Sequence, residues 1–221
     1  MIFAPLAAPA ALIGATEKRY VTLPTQIEFW FDFSSPYGYF ASKTVELIAT
    51  ANECSVTWRP FLLGPILRTT GMSVLAETPL RGDYAKHDWD RLARGMKLPF
   101  RLPEKHPIAA LAPSRAHYWL ARRAPGVEKR FAAAAFEAYF EKGLDISDAS
   151  VTADLGERCG IDRAELLGAI AGDEAKQWVR DATAEAQSKG VFGSPFFIVD
   201  GEPFWGQDRL PMVEEWVSGR R

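Results

Sequence analysis

A strand, a tight turn and a helix follow one another without a gap near the start of the chain, and this succession constrains the fold most. Residues 26–33 read QIEFWFDF, where alternate apolar side chains share one face of a strand and Trp30 adds apolar surface to the other. Residues 34–36 (Ser-Ser-Pro) end the strand, and apolar residues then recur at helical spacing from Phe40 to Ala51. With a second strand at Ser55–Phe61, the pattern predicts a buried βαβ unit.

The rest of the chain divides into a helical block and a second β-rich segment. Residues 67–189 show helical periodicity in segment after segment, interrupted by proline-rich turns. Strand character returns with PFFIV at residues 195–199, and Asp200-Gly201 is typical of a two-residue hairpin turn. The strand EPFW and a last helix over Asp208–Ser218 complete the pattern.

The order βαβ, helical block, ββα is that of a thioredoxin-like sheet whose two halves lie at opposite ends of the chain. We therefore predict an α/β fold with a thioredoxin-like βαβ…ββα sheet and a large all-helical insertion subdomain. In this prediction residues 26–66 and 190–221 form the thioredoxin-like domain, and residues 67–189 form the insertion. Residues 1–25 are predicted to be a loosely ordered tail ahead of the domain.

The start of the chain and the cysteine content predict a cytoplasmic protein. Residues 1–15 are uncharged and shorter than the roughly 20 apolar residues that cross a membrane. No Lys or Arg precedes Lys18, so the positive region that opens a secretory signal is missing. The two cysteines, Cys54 and Cys159, offer no disulfide framework and no CxxC pair. We expect reduced thiols and no membrane partner.

Charge and motif content exclude several classes of function. The 26 Lys plus Arg nearly balance the 28 Asp plus Glu, which leaves a formal net charge of −2, so we expect no nucleic-acid partner. His87, His106 and His117 lack metal-ligand spacing, and we predict no metal. The chain has no GxSxG elbow, no Walker A loop and no dinucleotide-binding GxGxxG.

Ser35 stands where the first strand passes into a helix, beside backbone N–H groups that a helix start leaves unpaired. Helix starts lower thiol pKa values, so a thiolate is the anion expected at such a place in thiol chemistry. Because the chain has no cysteine at this turn, we interpret Ser35 as a hydrogen-bond donor to the thiolate of a ligand. The alternative is that Ser35 only caps the helix.

Two segments near the end of the chain are candidates for binding that ligand. Ser194 precedes Pro195, and a cis bond between them would leave the Ser194 backbone N–H and C=O free to pair with an extended peptide-like ligand. The alternative is an ordinary turn. Asp208 begins the last predicted helix, where it would either bind a ligand ammonium group or cap the helix.

Four segments together resemble the 2-hydroxychromene-2-carboxylate isomerase family. They are FWFDFSSPYGYFAS at residues 29–42, WRPFLLG at 58–64, GVFGSPFFIVDG at 190–201 and FWGQDRL at 204–210. This family is related to kappa-class glutathione transferases and, more distantly, to DsbA-type oxidoreductases. The similarity covers essentially the whole chain from residue 26.

The resemblance implies glutathione as the cofactor. Ser35 matches the family's catalytic serine, which holds and activates the glutathione thiol. Gly38 stands at the second cysteine position of a redox relative, where the family more often has serine. Ser194 and Pro195 match the residues that pair with the glutathione backbone.

The resemblance also indicates which residues bind the two outer ends of glutathione. Gln207, Asp208 and Arg209 match the segment that binds the γ-glutamyl end. At the glycine end the family has an asparagine and a basic residue, whereas this chain has Met72 and Ser73. Arg68 and Arg81 are the candidates to replace that basic residue.

The activity that the resemblance implies is a glutathione-dependent cis-trans isomerisation in aromatic catabolism. It would interconvert 2-hydroxychromene-2-carboxylate and trans-o-hydroxybenzylidenepyruvate, and the resemblance also implies a homodimer. Two alternatives stay open: a kappa-like glutathione S-transferase and a non-catalytic thioredoxin-like binding protein. A small aromatic substrate is the expected partner. Four aromatic residues either line its pocket or belong to the core: Trp30, Phe61, Trp89 and Phe100.

Overall fold

A four-stranded mixed sheet lies at the centre of the computed structural model, which describes residues 26–219. The strands are β1 (Gln26–Phe31), β2 (Ser55–Pro60), β3 (Phe196–Val199) and β4 (Glu202–Trp205), in the spatial order β2-β1-β3-β4. β1 runs parallel to β2 and antiparallel to β3, and β4 runs antiparallel to β3. The two ends of the described chain thus build one sheet, and the predicted thioredoxin-like α/β fold is confirmed.

Helices make up most of the rest of the described chain. In chain order they are α1 (Pro36–Ser42), α2 (Val45–Ala51), α3 (Leu63–Thr70), α4 (Arg81–Met96), α5 (Leu111–Arg123), α6 (Val127–Phe140), α7 (Ala149–Arg158), α8 (Arg163–Ala171), α9 (Asp173–Ser188) and α10 (Leu210–Val217). Short 3-10 turns cover Leu75–Glu77 and Gln207–Arg209. The helices α3 to α9 lie between β2 and β3 in sequence, and the predicted domain boundary at residue 66 falls inside α3.

β1 is buried on both faces, which explains its nearly continuous apolar sequence. On one face Phe29 stacks on Phe197 of β3, with ring centroids 5.4 Å apart, and Phe31 lies 5.3 Å from Phe136 of α6. The sheet and the inserted helices therefore share one apolar core. On the other face Trp30 packs beside Phe61 in a smaller cluster.

The structure favours the core alternative for the four aromatic residues named from the sequence. Trp30 and Phe61 are completely buried, and Trp89 is 2% exposed. Phe100 is half-buried and stacks on Phe140 at 5.7 Å between ring centroids. These side chains stabilise the fold, since a fully buried aromatic ring offers no surface to a substrate.

Two predicted element boundaries are wrong. The helix expected up to Ala51 is two helices, because the N–H groups of Lys43 and Thr44 bond only three residues back and tighten the chain there. The last helix begins at Leu210 and not at Asp208, because residues 207–209 form a 3-10 turn. The tail predicted over residues 1–25 lies outside the described residues.

Neither cysteine is paired. Cys54 and Cys159 are half-buried free thiols, and burial raises the pKa of both. Both therefore pack as small apolar side chains and lack the features of reactive thiolates. Among residues 26–219, no helix combines the length and the apolar character that a membrane span requires.

Candidate functional site

Ser35 is 7% exposed and joins the start of α1 to the turn before β3. Its Oγ accepts a hydrogen bond from the Gly38 N–H at 3.1 Å, so Ser35 does cap α1. Its hydroxyl also donates to the Ser194 carbonyl at 2.9 Å, across a sequence separation of 159 residues. The residue therefore caps its own helix and also presents a proton donor toward a second segment, which a purely local cap does not do.

The peptide bond between Ser194 and Pro195 is cis, as the sequence predicted. The expectation that the whole Ser194 backbone is free is only half right, because its carbonyl accepts the Ser35 hydroxyl. Within the described residues, no partner of the Ser194 N–H is found. This N–H stays available to a carbonyl group of an extended ligand, and a ligand thiolate would compete with the Ser194 carbonyl for the Ser35 proton.

The Gln207–Arg209 turn lies next to these groups. The Gly206 N–H donates to the Pro195 carbonyl at 3.0 Å, and α1 packs against the turn. Asp208 is exposed and caps no helix, since α10 begins after Arg209 without a side-chain cap. The capping alternative for Asp208 is therefore wrong. Its carboxylate contacts the Arg209 guanidinium at 3.1 Å, an exposed pair that a ligand ammonium group can replace at little cost.

Trp205, which the sequence analysis missed, covers the turn before Pro195. Its indole lies 4.7 Å from the Phe192 ring, and a side chain at Gly193 would collide with it. About half of Trp205 is exposed, so one edge of the site is a flat apolar wall. The sequence signal was the tryptophan of the FWGQDRL segment, which we used for the resemblance and for a strand and did not count among the site residues.

Asp32 is the second residue that the sequence analysis missed, and it connects the Ser34–Ser35 turn, Ser194 and the start of α3. It is 6% exposed, and its Oδ1 and Oδ2 accept the N–H groups of Ser34 and Leu63, each at 2.8 Å. Its own N–H donates to Ser194 Oγ, and its carbonyl accepts the Ser35 N–H, both at 2.9 Å. The detectable signal was a carboxylate between two phenylalanines, Phe31 and Phe33, at the apolar end of the predicted strand.

Burial sets the electrostatics of Asp32. Removal from water raises the pKa of its carboxyl group from the ordinary 3.8 to about 6, although the N–H groups of Leu63 and Ser34 act in the opposite direction. A buried carboxylate beside the first turn of α1 is thus half-protonated near pH 6. We call Asp32, Ser35 and Ser194 together the thiol cradle.

Gly38 and Ser35 have nearly the spacing of a redox-active cysteine pair, although neither residue carries a sulfur atom. An ideal Cβ at this position would lie 3.3 Å from the Ser35 Cβ and 3.4 Å from Ser194 Oγ. Cysteines joined by a disulfide have Cβ atoms about 3.5–4.5 Å apart, so positions 35 and 38 stand almost where a disulfide would bridge them. The backbone at positions 35 and 38 thus has nearly the spacing of a disulfide pair, and neither position carries a cysteine.

The segment expected at the glycine end of glutathione is far less organised. Met72 and Ser73 follow α3 and are exposed. An eight-residue helix spans roughly 12 Å, so they lie about that far from Leu63, which touches Asp32. Of the two candidate cations, Arg68 folds back along α3, because a Cβ at Gly64 would meet its Nη1 at 4.0 Å. The Arg68 guanidinium therefore lies beside the first turn of α3, whose Leu63 N–H binds Asp32.

Two of the three histidines make hydrogen bonds inside the fold. His117 is buried and donates from Nε2 to the Trp58 carbonyl at 3.1 Å, and His106 Nδ1 lies 3.1 Å from the Tyr139 hydroxyl. Burial lowers the pKa of both imidazoles to about 4, so both are neutral at pH 7. Across residues 26–219, no cluster of three His, Cys, Asp or Glu side chains is arranged to hold a metal ion.

A thioredoxin-like sheet that presents a serine to a cis-proline turn, with no cysteine at positions 35 and 38, defines a class of thioredoxin-fold proteins without a redox pair of their own at this turn. The family match agrees with this class. The model of the DsbA-like thioredoxin domain matches residues 26–218, and the chain belongs to that family.

Comparison with curated proteins confirms the resemblance that the motifs predicted. The chain is 27% identical to a 2-hydroxychromene-2-carboxylate isomerase of Sphingobium xenophagum over 197 residues, covering 86% of this chain and 97% of that protein. It is 25% identical to glutathione S-transferase kappa 2 of Caenorhabditis elegans, covering 87% and 91% of the two chains. A solved 2-hydroxychromene-2-carboxylate isomerase shares the fold, with a TM-score of 0.80 at 24% identity over 89% of this chain and 95% of that one.

Proposed function

We propose that this protein is a glutathione-dependent isomerase that interconverts 2-hydroxychromene-2-carboxylate and trans-o-hydroxybenzylidenepyruvate. The observation that carries the proposal is the Ser35 hydroxyl, which donates toward the cis-proline turn at the position where a redox relative has its thiol. The names and the lengthwise match of the curated isomerases support the same reaction. A cytoplasmic location and a place in aromatic catabolism belong to this proposal.

Three groups of described residues support glutathione as the ligand, one for each part of the tripeptide. The Ser194 N–H suits the ligand's cysteinyl backbone, since a peptide carbonyl is the acceptor such a donor needs. Asp208 is exposed and acidic, which suits the γ-glutamyl ammonium group, and Gln207 and Arg209 supply donors for its carboxylate. Arg68 is the cation available to the glycine carboxylate.

Glutathione, when bound, supplies a thiolate that adds reversibly to the conjugated double bond of the substrate and so permits rotation about it. Ser35 donates a hydrogen bond at the place of the sulfur and stabilises its negative charge. Since α1 has only seven residues, we assign this stabilisation to the Ser35 hydroxyl more than to the helix dipole that the sequence suggested. Trp205 and the Phe192 ring supply apolar surface beside the site for an aromatic substrate.

The test is a turnover assay that follows both the substrate and the cofactor. Purified protein is mixed with 2-hydroxychromene-2-carboxylate, with and without glutathione, while chromatography separates the two isomers and a thiol assay counts free glutathione. The proposal expects isomerisation that requires glutathione and leaves its concentration unchanged. Isomerisation at the same rate without glutathione would contradict the proposal.

The kappa-class relatives make a transferase the second candidate. The same cradle would serve it, because the two reactions differ in whether the thiol adduct breaks down or is released. Loss of one glutathione per substrate molecule, with an aromatic conjugate as the product, would favour the transferase. Absence of both reactions in the parent and in its variants would favour the non-catalytic binding protein.

A further inference from the structure

We propose that Asp32 is a positioning residue, whose ionised carboxylate holds the Ser34–Ser35 turn and the first turn of α3 in the arrangement that binds the ligand thiol. The inference rests on the proposed function in one respect, namely that the thiol is that of glutathione. It concerns a residue that touches neither the substrate nor the thiol and acts through its neighbours.

The geometry gives Asp32 four separate ties to the site. One carboxylate oxygen binds the Ser34 N–H and the other binds the Leu63 N–H, so the two oxygens connect the strand end of the turn to α3. The main-chain groups of Asp32 bind Ser194 Oγ and the Ser35 N–H. Ser35 and Ser194 are therefore oriented from one residue, and its carboxylate ties the Ser34–Ser35 turn directly to the start of α3.

Stability alone does not explain a carboxylate at this place. Asp32 lies among buried aromatic residues, and placing a charge there costs free energy that two N–H bonds do not fully return, as its elevated pKa shows. The raised pKa means that the folded state is more stable with the neutral, protonated carboxyl group than with the ionised one. Buried ionisable groups with perturbed pKa values are concentrated at functional sites, which agrees with a role in ligand binding.

Protonation of Asp32 removes one of the two side-chain ties. A neutral carboxyl group keeps one good acceptor oxygen, whereas the N–H groups of Ser34 and Leu63 require two. Either the Ser34 N–H, in the turn that carries Ser35, or the Leu63 N–H, at the start of α3, then loses its hydrogen-bond acceptor. We expect the site to bind glutathione well above pH 6 and poorly below it.

The other charged groups near Asp32 do not obscure this titration. α1 and β3 carry no charged side chain, and the charged side chain on α3 is Arg68. On β2, Arg59 pairs with Glu185 of α9 at 3.2 Å. On α6, burial raises the pKa of Tyr139, and the negative charge of Asp32 raises it further. The Tyr139 phenol therefore stays neutral. His106, beside Tyr139, has its pKa lowered to about 4 and titrates well below Asp32.

The first test needs no ligand. Amide nitrogen and proton chemical shifts of Ser34 and Leu63 are followed by NMR as the pH is raised from about 5 to about 8. In the parent, both amides should shift with a common midpoint near pH 6. In Asp32→Asn they should not titrate, and in the control Asp90→Asn, which alters an exposed carboxylate on α4, they should behave as in the parent. Parent amides that do not titrate would overturn the inference.

The second test measures ligand binding by calorimetry over the same pH range. S-Methylglutathione is used beside glutathione, because it has no thiol to ionise and any change in its affinity belongs to the protein. The parent should bind it roughly tenfold more tightly at the upper end of the range than at the lower end. Asp32→Asn, whose amide has one acceptor oxygen, should bind weakly at every pH, and Asp90→Asn should follow the parent.

The outcomes separate this inference from the proposed function. If the parent binds the ligand and Asp32→Asn binds it with the same affinity and pH dependence, the positioning role is wrong and the proposed function stands. If the parent binds neither glutathione nor its S-methyl derivative, the proposed function is wrong. The amide titration then still decides whether Asp32 ties the turn to α3, because that measurement involves no ligand.

Discussion

The thiol cradle and the outer binding segments are built in opposite ways. In the cradle, Asp32, Ser35 and Ser194 are tied to one another by hydrogen bonds of 2.9 Å. In the outer segments, Asp208 pairs only with its exposed neighbour Arg209, and Met72 lies exposed after α3. Under the proposed function, the fold would therefore fix the position of the ligand thiol by itself and would leave the ends of the ligand to adaptable surface groups. Catalysis and affinity should then respond to different substitutions.

The largest effect is expected from Ser35→Ala, because it removes the proton donor at the sulfur position. We expect the turnover number to fall roughly 10²–10³-fold, the range for loss of one donor in an anion-stabilising site. Steady-state kinetics with saturating glutathione measures it. The matched control is Ser114→Ala, a buried serine of α5 whose hydroxyl bonds the Ala110 carbonyl; it should lose stability and keep its turnover number. Equal turnover numbers in the two variants would mean that Ser35 acts only as a helix cap.

The next effect concerns the free energy of unfolding and the buried carboxylate of Asp32. Removing a buried polar group ordinarily destabilises a protein, whereas Asp32→Asn should stabilise this one at neutral pH. Since the folded-state pKa of Asp32 is raised from 3.8 to about 6, the free energy of unfolding should fall as the pH rises between these values, by about 3 kcal/mol in all. Asp32→Asn should lack this loss and melt above the parent at pH 7.5, while binding glutathione less well. Urea denaturation at two pH values measures the difference. An Asn variant that is less stable than the parent at both would contradict the burial argument.

A smaller effect is expected from Asp208→Ala in the outer segment. Loss of the exposed carboxylate should raise the KM for glutathione about tenfold, the change for one charge-assisted hydrogen bond, with an unchanged turnover number. The free energy of unfolding should stay within about 0.5 kcal/mol of the parent value. Glu202→Ala, an exposed carboxylate of β4, is the control. If Asp208→Ala lowers the turnover number instead, the division between catalysis and affinity fails.

The smallest effect is expected at the other end of the ligand. The double variant Met72→Asn, Ser73→Lys restores the residue types that the resemblance places near the glycine carboxylate. An exposed cation is worth up to about 1 kcal/mol, so the KM for glutathione should fall by roughly threefold to fivefold. Arg68→Gln should raise it by a similar factor if Arg68 now serves that end. No change in either variant would place the glycine carboxylate elsewhere.

The fold and the cradle differ in how far they follow from local sequence. Alternation of apolar residues in β1 and the turn signal at Asp200-Gly201 determine strands locally, so the sheet was predictable. The local sequence made the cis bond before Pro195 a candidate and left an ordinary turn open, and the structure has the cis bond. The role of Asp32 was not predictable, because its partners Leu63 and Ser194 are distant in sequence. A carboxylate in a strand does not by itself indicate which groups it will bind. Asp208 failed as a helix cap because tertiary packing turned residues 207–209 into a 3-10 turn.

The central claim is that the cradle takes up a ligand thiol and stabilises its ionised form. The direct measurement is the thiol pKa of bound glutathione, obtained from the ultraviolet absorbance of the thiolate as the pH is varied with saturating parent protein. We predict a value clearly below the roughly 8.5 of a free thiol, and a return toward that value with Ser35→Ala. A bound thiol that titrates like free glutathione in the parent would contradict the account.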